Sequence, residues 1–262
     1  MIALKDVGVS VGGKDLLTSV WAELPRNALT AIIGPNGAGK STLLNAMAGG
    51  ISPTSGSVAF DGFRLANMRR FELAQRRAVL SQNLELPFPL KVEEVVALGR
   101  ALKADTEVQQ QRVIAAALER ARASELAERV FSTLSGGERQ RVHFARVLAQ
   151  LWEPIERGEP ATLLLDEPTS AMDMHHQHLL LEQLQKLARN GLTVCCVLHD
   201  LNLAALFADH VWALKNGRLH ASGPTDEVFD DRLLSDIYEM PLVTINHPQR
   251  ASQVVVAYAM TG

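Results

Sequence analysis

Apolar and polar residues alternate in short runs through the first third of the chain, the period-two pattern of half-buried strands. Leu4–Val11 and Val20–Leu24 read as an antiparallel pair around a Gly12-Gly13 turn, followed by a strand at Leu29–Ile33. A glycine-rich loop then opens a helix over about Lys40–Met47, which Gly49-Gly50 ends. Ser57–Phe60 is a further strand, closed by the turn pair Asp61-Gly62. From about Glu85 the period changes. Apolar or small residues recur at helical spacing (Val92, Val95, Val96, Gly99), predicting helices over Val92–Leu102, Val108–Ala123 and Glu138–Leu151. Beyond them, strands and helices alternate: strand Thr162–Leu165, helix Met174–Ala188, strand Thr193–Leu198, helix Leu201–Ala208, strand Val211–Leu214. Such alternation builds a parallel sheet from βα units. Asn216-Gly217 predicts a tight hairpin from Val211–Lys215 to Arg218–Ala221. The tail offers two strand-like pieces, Val243–Ile245 and Gln253–Ala259, too short for a regulatory domain and without an assigned function. The expected layout is an α/β core over about 2–84 and 151–242. It carries an antiparallel β part, an inserted helical part over about 85–150, and a short extension over 243–262.

Composition narrows the picture by exclusion. With 47% hydrophobic and 21% charged residues, the 262-residue chain has a globular balance, and a chain this long buries roughly three-quarters of its unfolded surface. Lys and Arg number 26 against 29 Asp and Glu, for a net charge of −3. No excess of cations exists to displace counterions, so no nucleic-acid partner is expected. The longest apolar runs, such as Thr193–Leu198 and Val254–Ala257, fall far short of the roughly 18 residues that span a bilayer. Met1–Asp6 lacks a charged start followed by an apolar stretch, so no signal peptide is expected and a cytoplasmic location is. Cys195 and Cys196 are neighbours in a strand-like stretch and should point to opposite faces, as two small buried hydrophobes rather than a disulfide. Arg69-Arg70 and Arg76-Arg77 read as a solvated helix face.

Chemistry enters at Gly34-Pro35-Asn36-Gly37-Ala38-Gly39-Lys40-Ser41-Thr42, which fits G-x-x-x-x-G-K-[ST] between an apolar strand and a helix. Glycines let the backbone wrap an anion, so that N–H groups and the helix start point at phosphate oxygens. Lys40 is placed to reach the β- and γ-phosphates of a nucleotide, and Ser41 to ligate Mg²⁺. Leu163-Leu164-Leu165 leads into Asp166-Glu167, an apolar strand ending in two carboxylates. Asp166 suits Mg²⁺, and Glu167 suits the orientation or deprotonation of a water attacking the γ-phosphate. Leu134-Ser135-Gly136-Gly137-Glu138-Arg139-Gln140 opens another helix through Ser and two glycines, a second anion-friendly start.

Taken in order, these segments resemble the ATP-binding-cassette (ABC) superfamily over nearly the whole chain, with Leu134–Gln140 similar to its signature motif. The family order is a phosphate loop at 34–42, Gln82 at a strand end, the signature, Asp166-Glu167, the turn Ser170–Asp173, and His199 after a strand. The resemblance implies a P-loop NTPase (RecA-like) core. It also implies that Gln82 approaches Mg²⁺ and the attacking water, and that His199 hydrogen-bonds the γ-phosphate. Asp173 would act across a dimer boundary, and Ser135, Gly136 and Gly137 would hold the γ-phosphate on the other copy, so that a homodimer sandwiches two ATP molecules. An aliphatic Val11 stands where the family commonly places an aromatic that stacks on adenine, and Met172 stands where Leu is usual.

The resemblance extends to transport. DNA-associated relatives separate loop and signature by a long coiled coil, whereas here 95 positions (135 − 40) lie between Lys40 and Ser135 without sustained heptads. Kinases lack the signature. Residues 81–100, including Leu86-Pro87-Phe88-Pro89-Leu90, are similar to importers of iron–siderophores, haem and cobalamin. Leu148–Trp152, followed by a polar loop at Glu153–Pro160, is similar to the haem branch. The implied partners are two permease subunits in the inner membrane, with an extracytoplasmic substrate-binding protein beyond them. The chain itself would sit peripherally on the cytoplasmic face. His175, His176 and His178 follow Asp173 at a helix start and are read as dimer-facing residues rather than metal ligands.

Overall fold

The computed structural model describes residues 1–81, 88–246 and 254–258. The chain forms two compact units, Met1–Met68 with Thr193–Gly262, and Arg69–Leu192. The first unit begins with β1 (Ile2–Val11), β2 (Lys14–Glu23), β3 (Leu29–Ile33), α1 (Lys40–Ala48), β4 (Ser55–Phe60) and β5 (Phe63–Arg64). The second holds α2 (Arg70–Arg76), β6 (Arg77–Leu80), α3 (Val92–Ala97), α4 (Glu107–Arg120), α5 (Gly136–Gln150), α6 (Trp152–Arg157), β7 (Ala161–Leu165) and α7 (Met174–Arg189). The chain then returns to the first unit through β8 (Leu192–Val197), α8 (Leu201–Phe207), β9 (His210–Lys215), β10 (Arg218–Pro224), α9 (Thr225–Val228), α10 (Asp231–Tyr238), β11 (Leu242–Asn246) and β12 (Val254–Tyr258).

In the first unit, an antiparallel sheet runs in the order β2-β1-β4-β5. The strand β1 does not alternate cleanly. Asp6 takes φ 54, the register with β2 shifts between Leu4 and Val7, and the buried face switches there, as a bulge requires. Gly56 makes room for that bulge, since a β-carbon on it would lie 2.1 Å from the Asp6 carbonyl oxygen. A second set of strands has β3 paired in parallel with both β8 and β9. All five β3 residues and all six of β8 are buried, and apart from Thr30 and Thr193 they are apolar, as in a central parallel strand. Asn216 (φ 48) and Gly217 (φ 73) form the β9–β10 turn with both angles positive, as a type I′ hairpin needs. Cys195 and Cys196 lie fully buried and unbridged. Burial raises both thiols, Cys196 to about 12.

In the second unit, β6 and β7 pair in parallel while α3, α4 and α5 pack through Val92, Val95, Val96, Ala117, Leu118, Val142 and Leu148. The helix expected over Val92–Leu102 ends at Ala97 and tightens into a 3₁₀ turn at Leu98–Arg100. Gly99 sits there because a β-carbon would come within 2.2 Å of the Arg146 carbonyl oxygen on α5. Next to it, Arg100 is buried and gives hydrogen bonds to Asp105 (2.7 and 2.9 Å), Glu153 (2.6 and 3.2 Å) and the Ala149 carbonyl (2.9 Å). Partial burial works to raise the Glu153 carboxyl, but bonds from Arg100 and Lys103 outweigh it and hold the group down at about 2.

Two expectations are corrected. Glu153–Pro160 is not a loop throughout, because α6 covers its first five residues. Pro154 falls in the first turn, where its missing N–H costs nothing, and Gly158 (φ 63) stops the helix. The Arg120 guanidinium lies 4.5 Å over the Trp152 ring at the start of α6. The arginine cluster is not one helix face either. Arg70 and Arg76 bound α2, whereas Arg77 begins β6 with guanidinium nitrogens buried.

A candidate nucleotide site

The phosphate loop grows out of β3 in the first unit. Gly34 is buried and turns at φ 143, and a β-carbon there would lie only 2.2 Å from the Leu214 carbonyl oxygen, so any side chain forces the loop or β9 to move. Pro35 is half-buried, Asn36 and Gly37 are exposed at the tip, and Ala38 is buried again. Gly39 (φ 98) is the residue before α1 and carries no side chain to cap it, and a helix start of this kind suits an anion. Lys40 is buried, and its ammonium folds back onto the loop, donating to the carbonyls of Gly34 (2.8 Å) and Pro35 (2.9 Å). The loop is braced from outside by residues far along the chain. The Gly217 amide donates to the Ala38 carbonyl (3.0 Å), and the Gly34 amide donates to the Tyr238 hydroxyl (2.9 Å). Burial pushes the Tyr238 phenol up to about 12, so it is a neutral hydroxyl.

His199 follows β8 in the same unit and is exposed. The parallel register pairs Ile32 with Val197, and the Leu198 amide donates to the Ile32 carbonyl (3.1 Å), which delivers Gly34 and His199 to the same end of the strands. Open ends of parallel strands are where such folds bind ligands. Asp200 caps α8 by accepting from the amides of Asn202 and Leu203 (2.8 and 3.2 Å), fixing the turn that presents the histidine. Val11 lies at the end of β1 and is exposed.

The second unit gathers the remaining predicted groups, except Gln82, which lies outside the described residues. Asp166 and Glu167 follow β7, and the Asp166 amide donates to the Leu80 carbonyl of β6 (2.8 Å). Glu167 holds φ 49, a left-handed angle that costs a non-glycine residue on the order of 1 kcal/mol or more and marks functional turns. Ser135 caps α5 in a capping box with Glu138, whose carboxylate accepts the Ser135 amide at 2.7 Å. That bond and the Ser135 side chain hold Glu138 below the usual carboxylate range. Gly136 and Gly137 lie against the Ser170–Asp173 turn, since β-carbons there would stand 3.1 Å from the Ala171 methyl and 3.0 Å from its carbonyl oxygen. Signature and turn are therefore one packed feature. Asp173 caps α7 and accepts from both the amide and the Nδ1 of His176 (2.9 Å each), which gives that histidine a local partner. Met172 is buried.

A family model described as "ABC transporter" matches residues 17–170. The chain belongs to the ABC transporter family. The hemin import ATP-binding protein HmuV of Pseudomonas aeruginosa is 43% identical over 257 residues, covering 98% of this chain and all of that one. The protein of the same name from Streptomyces coelicolor is 44% identical over 252 residues, covering 95% and 87%. Among solved structures, a dimeric bacterial ABC transporter cassette superposes with a TM-score of 0.76 at 29% identity, covering 86% of this chain and 99% of that one. A post-hydrolysis cassette bound to ADP and Pi gives 0.74 at 28% identity, with the same coverage. The P-loop NTPase architecture and an ATP-hydrolysing activity follow from membership in this family of cassettes. Sequence reading missed the supports of this ABC phosphate loop: Leu214, Gly217 and Tyr238 all reach it from more than 170 positions downstream, a distance that no local pattern encodes.

Proposed function

We propose that this chain is the ATPase subunit of an importer that carries haem through a separate membrane permease. The observation that carries the reading is the 43% identity to a hemin import ATP-binding protein across 98% of the chain. In this reading two copies form a homodimer around two ATP molecules, and the helical residues at about 85–150 face the two permease subunits. An extracytoplasmic binding protein delivers haem to the far side of the permease, and this chain stays on the cytoplasmic face of the membrane.

In this reading the chemistry is divided among the following groups. Lys40 leaves its carbonyl partners for the β- and γ-phosphates, whose oxygens meet the N-terminal end of α1. The Ser41 hydroxyl and the Asp166 carboxylate, with Gln82, are hard oxygen donors of the kind Mg²⁺ takes. When bound, the ion neutralises charge on the phosphates. Glu167 takes the proton of the attacking water, and His199 hydrogen-bonds the γ-phosphate. Ser135, Gly136 and Gly137 of one copy hold the γ-phosphate bound to the other, with Asp173 acting across that boundary. ATP therefore favours the closed pair and hydrolysis releases it, a ligand-driven shift between two states.

The test is ATPase activity of the complex reconstituted in liposomes with its permease and binding protein. Haem should stimulate hydrolysis, whereas an iron–siderophore and cobalamin should not. Stimulation by either of those without haem would overturn the cargo assignment. In the same system Lys40→Ala should lose ATP binding, and normal binding would remove the loop from its role.

A further inference from the structure

The C-terminal elements have no part in the division of labour above, yet one of their side chains holds the phosphate loop. Tyr238 ends α10, and its hydroxyl accepts the Gly34 amide at 2.9 Å. Gly34 is buried, so this N–H needs a partner inside the protein. The helix that carries Tyr238 is itself anchored at several points. Lys215 of β9 donates to the Asp236 carbonyl (2.6 Å), the Ser235 hydroxyl exchanges hydrogen bonds with the Leu242 backbone (2.9 and 3.1 Å), and Asp231 accepts both the amide and the hydroxyl of Thr244 (2.6 Å each). Strand β11, fixed in this way, pairs with β12. The Asn202 side chain on α8 then accepts the Val256 amide (2.7 Å) and donates to its carbonyl (3.4 Å), as a neighbouring strand would. Helix α8 starts directly after His199-Asp200. The C-terminal elements thus tie the loop entry to the helix behind the histidine.

We propose that Tyr238 is a positioning residue for ATP binding, setting the Ile33–Gly34 peptide from which the phosphate-binding amides fan out, with α10, β11 and β12 as its seat. The inference rests on the phosphate-loop reading given above. Tyr238 touches no reacting atom and acts only through the loop's orientation.

Tyr238→Phe removes the acceptor and keeps the ring. A buried amide left unpaired corresponds to roughly a tenfold effect. In the reconstituted transporter this variant should raise the KM for ATP about tenfold and leave kcat within about twofold. Thr225→Val removes a hydrogen bond of the same unit away from the loop (Thr225 hydroxyl to Ala208 carbonyl, 2.6 Å) and should leave KM unchanged. Equal KM values for Tyr238→Phe and the unaltered protein, with only a lower Tm, would overturn the proposal. Hydrogen exchange at the Gly34 amide gives a reading that needs no variant: it should be slow in the nucleotide-free full chain, and fast exchange there would also overturn the assignment. Lys40→Ala separates the two possible failures. If Lys40→Ala loses ATP binding while Tyr238→Phe keeps a normal KM, the phosphate-loop reading stands and the role given to Tyr238 falls.

Discussion

Gly34→Ala and Gly37→Ala make the same covalent change three positions apart and should have unequal consequences. A β-carbon on Gly34 would stand 2.2 Å from the Leu214 carbonyl oxygen and 3.4 Å from the Ala38 methyl. A comfortable C···O approach is about 3.3 Å, so the loop or β9 must move by about 1 Å. Adding about 1–3 kcal/mol for the φ of 143 to about 1–3 kcal/mol for overpacking gives about 2–6 kcal/mol. In a protein of this size that lowers Tm on the order of 10 °C. A shift of about 1 Å in groups that position a reactant costs on the order of 100-fold in rate. At Gly37 (φ 79) a β-carbon meets nothing within 4 Å, leaving about 1–2 kcal/mol of left-handed strain. Thermal unfolding of the nucleotide-free proteins and ATP titration compare the two. The Gly34 variant should melt lower and bind ATP at least about tenfold more weakly than the Gly37 variant. Equal melting and equal affinity would refute the steric argument.

Three further outcomes are expected. Glu167→Gln should keep ATP binding and dimerisation while phosphate release falls on the order of 10²–10⁴-fold, and normal turnover would remove Glu167 from its role. His143 of α5 is pushed down to about 4 by burial, helped by Arg146 and Arg139, so the folded chain keeps it neutral while the unfolded chain protonates it near 6.5. Stability should therefore fall as pH drops from about 6.5 to 4, by up to about 3 kcal/mol, and urea midpoints for His143→Phe should depend less on pH across that window. Glu153→Gln should destabilise by about 1–3 kcal/mol, discounted because Glu153 is partly exposed, and less again when combined with Arg100→Met. The Glu153 contribution is present above about pH 4.5 and is lost as pH falls towards 2, which acid unfolding of the single variant would show as a flatter curve.

Elements whose signals are local were legible in the sequence. The run Leu29–Ile33, the glycine loop, and the Asn216-Gly217 turn each carry their geometry in adjacent residue types. Helix α10 was not anticipated although its signals are also local: Asp230 caps it, and Leu234 and Ile237 bury one face at helical spacing. Helix α6 was hidden within Glu153–Pro160, whose polar composition reads as a loop, although its Pro154 falls in the first turn, where proline costs least. The bulge at Asp6 had no signal at its own position. It becomes readable only with Gly56, a partner that strand pairing brings alongside. Of the candidate groups, the sequence named the residues of the glycine loop but not what braces them, because bracing depends on tertiary approach rather than residue type.

The bond from Gly34 to Tyr238 spans 204 positions. During synthesis, at about 5–20 residues per second, the glycine leaves the peptidyl-transfer centre roughly 10–40 s before the tyrosine that completes its surroundings. Leu214 and Gly217, which wall and tether the same loop, also arrive late. A growing chain thus carries the whole nucleotide motif long before it owns a finished pocket. Full affinity for ATP is then expected only once the chain has grown past Tyr238, and products that end earlier should bind the nucleotide more weakly.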